Sequence, residues 1–204
     1  IGATSGMIGP RVTAALAFPL GYAVLLVPFG EELVPQLQMI TADITVALVH
    51  LSGIPANIDG VFIDTPAGLF EVAEACSGVK FLIAMIAFGI LVANLCFRSW
   101  KRRAVFLAVC VVVPILANGV RAWGTIFAAQ YVGAEKAAGI DHLIYGWIFF
   151  AVVIALVLAI GWRFFDRSAD EPAIDLAALV ASRPIERLER MSASLVPLLL
   201  ALCA

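Results

Sequence analysis

Three apolar runs of about twenty residues or more dominate the chain, and each has arginine or lysine gathered at one of its ends. They are Cys76 to Phe97, Ala104 to about Tyr131, and His142 to Trp162. The first runs into Arg98-Ser-Trp-Lys-Arg-Arg103, the second leaves from it, and the third ends at Arg163 and Arg167. A helix rises about 1.5 Å per residue, so twenty residues match the roughly 30 Å hydrocarbon core of a bilayer. In lipid each backbone polar group must be paired internally, and a helix does that within one segment. Composition agrees: 63% of residues are hydrophobic and 14% charged, where a soluble domain carries about 25% charged.

The net charge of -2 conceals how the charges are distributed. Residues 53–75 hold Asp59, Asp64, Glu71 and Glu74 but no Lys or Arg. By the positive-inside rule the basic loop is cytoplasmic and the acidic segment lies outside. Trp100, Tyr131, Tyr145, Trp147 and Trp162 fall near the span ends, where interfacial aromatic residues collect.

The fold class expected is an all-α polytopic membrane protein, a bundle of about five or six transmembrane or interfacial helices with a small extracytoplasmic β-hairpin. Val12 to Phe29 is apolar and long enough to cross, with Pro19 and Pro28 kinking or ending it. Residues 33–52 repeat Leu33, Leu37, Ile40, Ile44, Leu48 and Leu51 on one helical face; this helix either spans or lies at the interface. The runs Val61–Asp64 and Leu69–Val72 flank Thr65-Pro-Ala-Gly68, a proline-containing turn that predicts the hairpin. Residues 166–190 are polar and charged, fitting a cytoplasmic linker with a short amphipathic helix, and 191–204 opens a further hydrophobic segment. The chain begins at Ile1 and stops within an apolar stretch, which reads as a fragment of a longer protein, truncated at both ends. Nothing in it suggests nucleic-acid binding.

The four cysteines form no CxxC pair and no metal-ligand spacing, so neither a metal nor a cofactor is expected. Cys96 and Cys110 sit in apolar runs and read as small buried hydrophobes. Cys76 has polar neighbours at a helix start, where backbone N–H groups and the helix dipole favour thiolate. Lys80, four residues on, adds positive charge to the same face.

Cys76 lies about 22 residues before Arg98, Arg121 about 18 after Arg103, and His142 about 21 before Arg163. These spacings are about 33, 27 and 32 Å of helix, each close to one bilayer thickness. Thiol, guanidinium and imidazole are thereby expected together on the face opposite the basic clusters, a set suited to acyl transfer. A thiolate attacks a peptide carbonyl to give a thioester. Arg121, with Asn118 three residues before it, either holds the oxyanion of the tetrahedral intermediate or grips a substrate carboxylate; the plainer alternative is a snorkelling side chain. His142 suits general acid–base work near neutral pH. Asp141 caps its helix or tunes the imidazole, and Glu74 orients the site or adds to the first-turn dipole. His50 reads as structural. A transporter or assembly scaffold is the competing class, but it would place polar groups near the bilayer midplane.

Three ordered motifs carry a resemblance: Glu74-Ala-Cys-Ser-Gly78, Pro114-Ile-Leu-Ala-Asn-Gly-Val-Arg121 and Asp141-His-Leu-Ile-Tyr-Gly146. With Pro28-Phe-Gly-Glu-Glu-Leu-Val-Pro35 and Gly53-Ile-Pro55, they make the chain resemble the exosortases, a family similar to archaeosortases, over about residues 20–163. The resemblance implies a membrane cysteine protease and transpeptidase in the inner membrane of Gram-negative bacteria that secrete exopolysaccharide, with its active site on the periplasmic face. It implies membrane-anchored protein substrates ending in a sorting signal: a Pro-Glu-Pro-type motif (the PEP-CTERM kind), a membrane helix and a basic tail. By motif position Cys76 matches the nucleophile, Arg121 the arginine and His142 the acid–base histidine. The acceptor nucleophile stays open, as does hydrolysis versus transfer.

Overall fold

The computed structural model describes residues 9–27, 29–134, 137, 146–168, 171 and 181–189. Two compact units divide the chain, Phe29–Arg167 and the pair of terminal stretches.

In the terminal unit the apolar run from Val12 is not one long helix. It is cut into α1 (Pro10–Ala15), α2 (Ala17–Tyr22) and a 3-10 turn (Ala23–Leu26). The break falls at Leu16 (φ -93°, ψ 9°), three residues before Pro19. A proline lacks the N–H for the i−4 bond and its ring crowds that carbonyl, here Ala15's. The expected crossing helix is therefore absent among the described residues. Residues 183–189 are helical, and Glu189 Oε2 lies 2.9 Å from Arg11 Nε.

Among the described residues the larger unit holds three helices long and apolar enough to cross a membrane. The first comprises a 3-10 turn (Glu31–Leu33) continuing into α3 (Val34–Leu51); the others are α4 (Val79–Cys96), with the turn before it, and α5 (Trp100–Val132). The shorter apolar α6 spans Gly146–Trp162. At 33 residues, α5 is about 50 Å long and exceeds the bilayer core. It starts inside the basic loop, at Trp100, and runs unbroken through Pro114.

Glycines set the helix crossings. A Cβ on Gly89 of α4 would stand 2.8 Å from Cys110 Sγ of α5, one on Gly161 of α6 2.8 Å from Phe106 Cε2, and one on Gly119 of α5 would collide with Ile44 Cγ2. Lipid supplies no hydrophobic drive between helices, so small residues that admit close van der Waals contact hold such bundles together. Met85, Val92, Phe97, Phe106, Cys110, Val153 and Val157 form the core of α4, α5 and α6. Phe81 and Phe150 add an edge-to-face pair with centroids 4.0 Å apart.

Both basic clusters lie at the same end of this bundle. The backbone N–H groups of Asp166 and Arg167 donate to the Cys96 carbonyl at 3.2 Å. Arg167 donates to Asn94 O (2.7 Å), Arg102 to Phe164 O (3.0 Å), and the Arg98 N–H to Asp166 Oδ1 (2.7 Å). At the other end is a three-stranded antiparallel sheet, β1 (Asn57–Asp59), β2 (Phe62–Thr65) and β3 (Gly68–Glu71), in that order. The β2–β3 hairpin is the one expected, with Thr65 paired to Gly68 and Phe62 to Glu71. The extra strand β1 joins through Gly60 (φ +59°) and Val61, a two-residue connection with glycine first, as type II′ hairpins require. Ile63 on the sheet's inner face is fully buried with Ala42, Val49, Val72 and Ile126.

Helix α3 joins the sheet to the bundle. Its first turns pack on Val79, Leu82 and Ile115, its middle on Gly119, and Ser52 just beyond it accepts from Trp123 Nε1 at 2.8 Å. Ascending residues of α3 thus meet ascending residues of α5, and α3 lines the sheet-side half of the bundle.

Candidate active site

Between β3 and α4 the chain makes a tight passage. The Val72 N–H donates to Val61 O (2.9 Å) as the strand ends, and Gln38 Nε2 of α3 donates to Val72 O at 2.7 Å. A 3-10 turn follows, Glu74–Cys76, with the Cys76 N–H donating to Ala73 O at 2.8 Å. Gly78 then takes a left-handed conformation (φ 80°, ψ 3°) and α4 begins at Val79. Cys76 is therefore not in the first turn of α4, as the sequence suggested. Gly78's backbone cannot continue a right-handed helix, so the turn bearing Cys76 is a separate piece of backbone. With it goes the expected shared helical face of Cys76 and Lys80. Lys80 and Glu74 are both exposed.

Cys76, Asn118 and Arg121 line one cavity of about 80 Å³, with Thr45, Ile63, Phe70, Glu71, Val72, Ala122, Thr125 and Ile126. Two residues singled out in separate motifs, the thiol before α4 and the guanidinium on α5, thus come to one cavity. It lies between the sheet, α3 and α5, at the end remote from the basic clusters. Asn118 is almost fully buried (4% exposed) and bridges the walls: its amide donates to Cys76 O (2.8 Å) and to Thr41 Oγ1 (3.0 Å). Arg121 O accepts from Thr125 Oγ1 at 3.2 Å. The exposed walls are mainly apolar, with the polar groups of Thr45, Glu71, Asn118, Arg121 and Thr125 among them.

Asp141 and His142 fall outside the described residues. His50 Nε2 donates to Ala56 O at 2.8 Å, holding the chain as it leaves α3. Among the described residues no three His, Cys, Asp or Glu side chains gather as a metal would need, and Cys76, Cys96 and Cys110 form no disulfide. Sequence reasoning missed Thr41, Thr45, Thr125 and Glu71. The available signal was a pair of hydroxyls four apart, Thr41 and Thr45, within α3; they share one face and are 1% and 0% exposed.

A helical membrane bundle capped by a small sheet, with a thiol, an arginine and a buried amide around one cavity, defines a class of membrane enzyme candidates rather than a soluble hydrolase. The transmembrane exosortase family model matches residues 1–159, and the chain belongs to that family. At family level these are cysteine-type transpeptidases of the membrane that act in protein sorting. Comparison with curated proteins and with solved structures returned no match.

Proposed function

We propose that this exosortase cuts sorting-signal substrates through a thioester on Cys76. The observation that carries the reading is the meeting of Cys76 and Arg121, 45 residues apart in sequence, on one mostly apolar cavity. The sulfur attacks the scissile carbonyl carbon, and the carbonyl oxygen becomes an oxyanion that Arg121 stabilises by donating to it. Removing one such donor typically costs about 3–4 kcal/mol of transition-state stabilisation. Collapse of the intermediate breaks the C–N bond. His142 takes the thiol proton and delivers it to the departing amine; its assignment rests on motif position, four residues before α6. Water or an amine then resolves the thioester and returns the thiol.

The orientation follows from charge. Arg98, Lys101, Arg102 and Arg103 meet Arg163 and Arg167 at one end, which the positive-inside rule assigns to the cytoplasm. The cavity then opens on the periplasmic side of a bacterial inner membrane. A substrate with a membrane helix and a basic tail obeys the same rule, so its helix and the enzyme's lie side by side and hold the peptide before the helix near Cys76. Much of the rate enhancement comes from that positioning.

The test is mass spectrometry of a signal-bearing substrate of the Pro-Glu-Pro type co-expressed with wild-type or Cys76→Ala enzyme. Cleavage is expected only with the thiol present, and the product mass reports water or an attached acceptor. Cleavage that persists in Cys76→Ala removes the nucleophile assignment.

A further inference from the structure

We infer that Thr41 is a positioning residue for the nucleophile, acting through Asn118; this rests on the reading of Cys76 above. The Cys76 carbonyl is in a vulnerable place. It follows a single 3-10 turn and precedes the left-handed Gly78, while the first α-helical bond of α4 runs from Leu82 N to Gly78 O (2.8 Å). One bond to this carbonyl comes from across the interface, from Asn118 Nδ2 at 2.8 Å. A carbonyl only accepts, so the amide must turn its NH2 group towards Cys76. The second proton of that NH2 goes to Thr41 Oγ1 at 3.0 Å.

One amide group therefore ties three segments together: the turn that carries the sulfur, the helix that carries Arg121, and α3. Asn118 packs directly on Gly78, since a Cβ there would fall 2.8 Å from its Cγ and 2.9 Å from its Nδ2, so the amide's orientation is left to its hydrogen bonds. Thr41 is itself held in register by its neighbour one turn on: Thr45 Oγ1 donates to Thr41 O (2.7 Å) and lies 3.4 Å from Gly119 O. Thr41 does not line the cavity, so it acts on chemistry only through the backbone of Cys76. Without its hydroxyl, the second Asn118 proton is buried with nothing to accept it, and the amide must rotate or shift. The Asn118 bond to the Cys76 carbonyl is then weakened or lost, and the sulfur's placement relative to Arg121 relaxes.

The test compares Thr41→Val, which keeps shape and loses the acceptor, with Thr41→Ser, which keeps the acceptor. Both are assayed in native membranes on a signal-bearing substrate, with rates scaled to the amount of enzyme. Misplacing a reacting group by about 1 Å costs on the order of a hundredfold in rate, so Thr41→Val is expected to lower kcat by about tenfold to a hundredfold with KM unchanged. Thr41→Ser should restore most of kcat. Wild-type kcat in Thr41→Val overturns the clamp, and so does an equal loss in both variants, which would mean packing rather than hydrogen bonding. A parallel Cys76→Ala control separates the two readings. Cleavage surviving there removes the nucleophile, whereas Cys76-dependent cleavage untouched by Thr41→Val removes only the clamp.

Discussion

Replacing Gly78 with alanine should damage this protein far more than the same change at Gly60, although both glycines have positive φ. At Gly60 (φ +59°) a Cβ meets nothing within 4 Å. A sparsely populated positive-φ conformation costs an L-residue about 1–3 kcal/mol, offset by about 0.4–1 kcal/mol because alanine narrows the unfolded ensemble. Gly60→Ala should therefore cost about 1–2 kcal/mol. Gly78 (φ +80°) pays that strain too, but its Cβ would also fall 2.8 Å from Asn118 Cγ and 2.9 Å from Nδ2. Those atoms cannot retreat without giving up the bonds to Cys76 O and Thr41 Oγ1, each worth about 0.5–1.5 kcal/mol net and more if a partner is left buried and unpaired. The total for Gly78→Ala is about 2–4 kcal/mol. Equilibrium unfolding in mixed micelles, followed by tryptophan fluorescence, measures both. Adding Asn118→Ala to Gly78→Ala should cost about 1–2 kcal/mol less than the single losses together, since the clash is then largely gone. Equal losses at Gly60 and Gly78, or strict additivity in the double variant, would refute the packing that underlies the site.

Arg121→Lys keeps the charge but loses the planar fork, and turnover should fall by about a hundredfold or more; near-normal turnover would assign Arg121 a plain charge role. Asp166 supplies a pH test at the opposite end. Its carboxyl is held below its ordinary value of 3.8 chiefly by the Arg98 backbone N–H, with help from the Ser99 N–H and the Arg102 guanidinium and against some desolvation. A lowered folded-state pKa means fewer protons bound in the native than the unfolded state. The stabilisation is therefore whole above the ordinary value and is lost as pH falls through it towards the folded-state value. The unfolding midpoint should decline below about pH 4, and Asp166→Asn should be less stable at pH 7 and lose that part of the decline. An unchanged acid limb in Asp166→Asn would contradict this.

What the linear chain determined was set by solvent and by local geometry. Long apolar runs have no stable home but lipid, and the arginines at their ends place both basic clusters on one side, where hydrogen bonds from Arg102 and Arg167 join the two loops. The turn at Pro66 and the alternation around it made the hairpin legible; β1, a three-residue strand with every residue exposed, leaves no alternation to read. Spacing by membrane thickness brought Cys76 and Arg121 to one depth, although it assumed a continuous helix through Cys76 that Gly78 interrupts. Only the tertiary structure decided that thiol and guanidinium share a cavity, and that an asparagine of α5, bonded also to a threonine of α3, donates to the thiol's backbone. The physical reason is one of range. Hydropathy and turn chemistry act over a few residues and can be read in order, whereas the bonds from Asn118 reach residues 42 and 77 positions away and exist only once α3, α4 and α5 have packed.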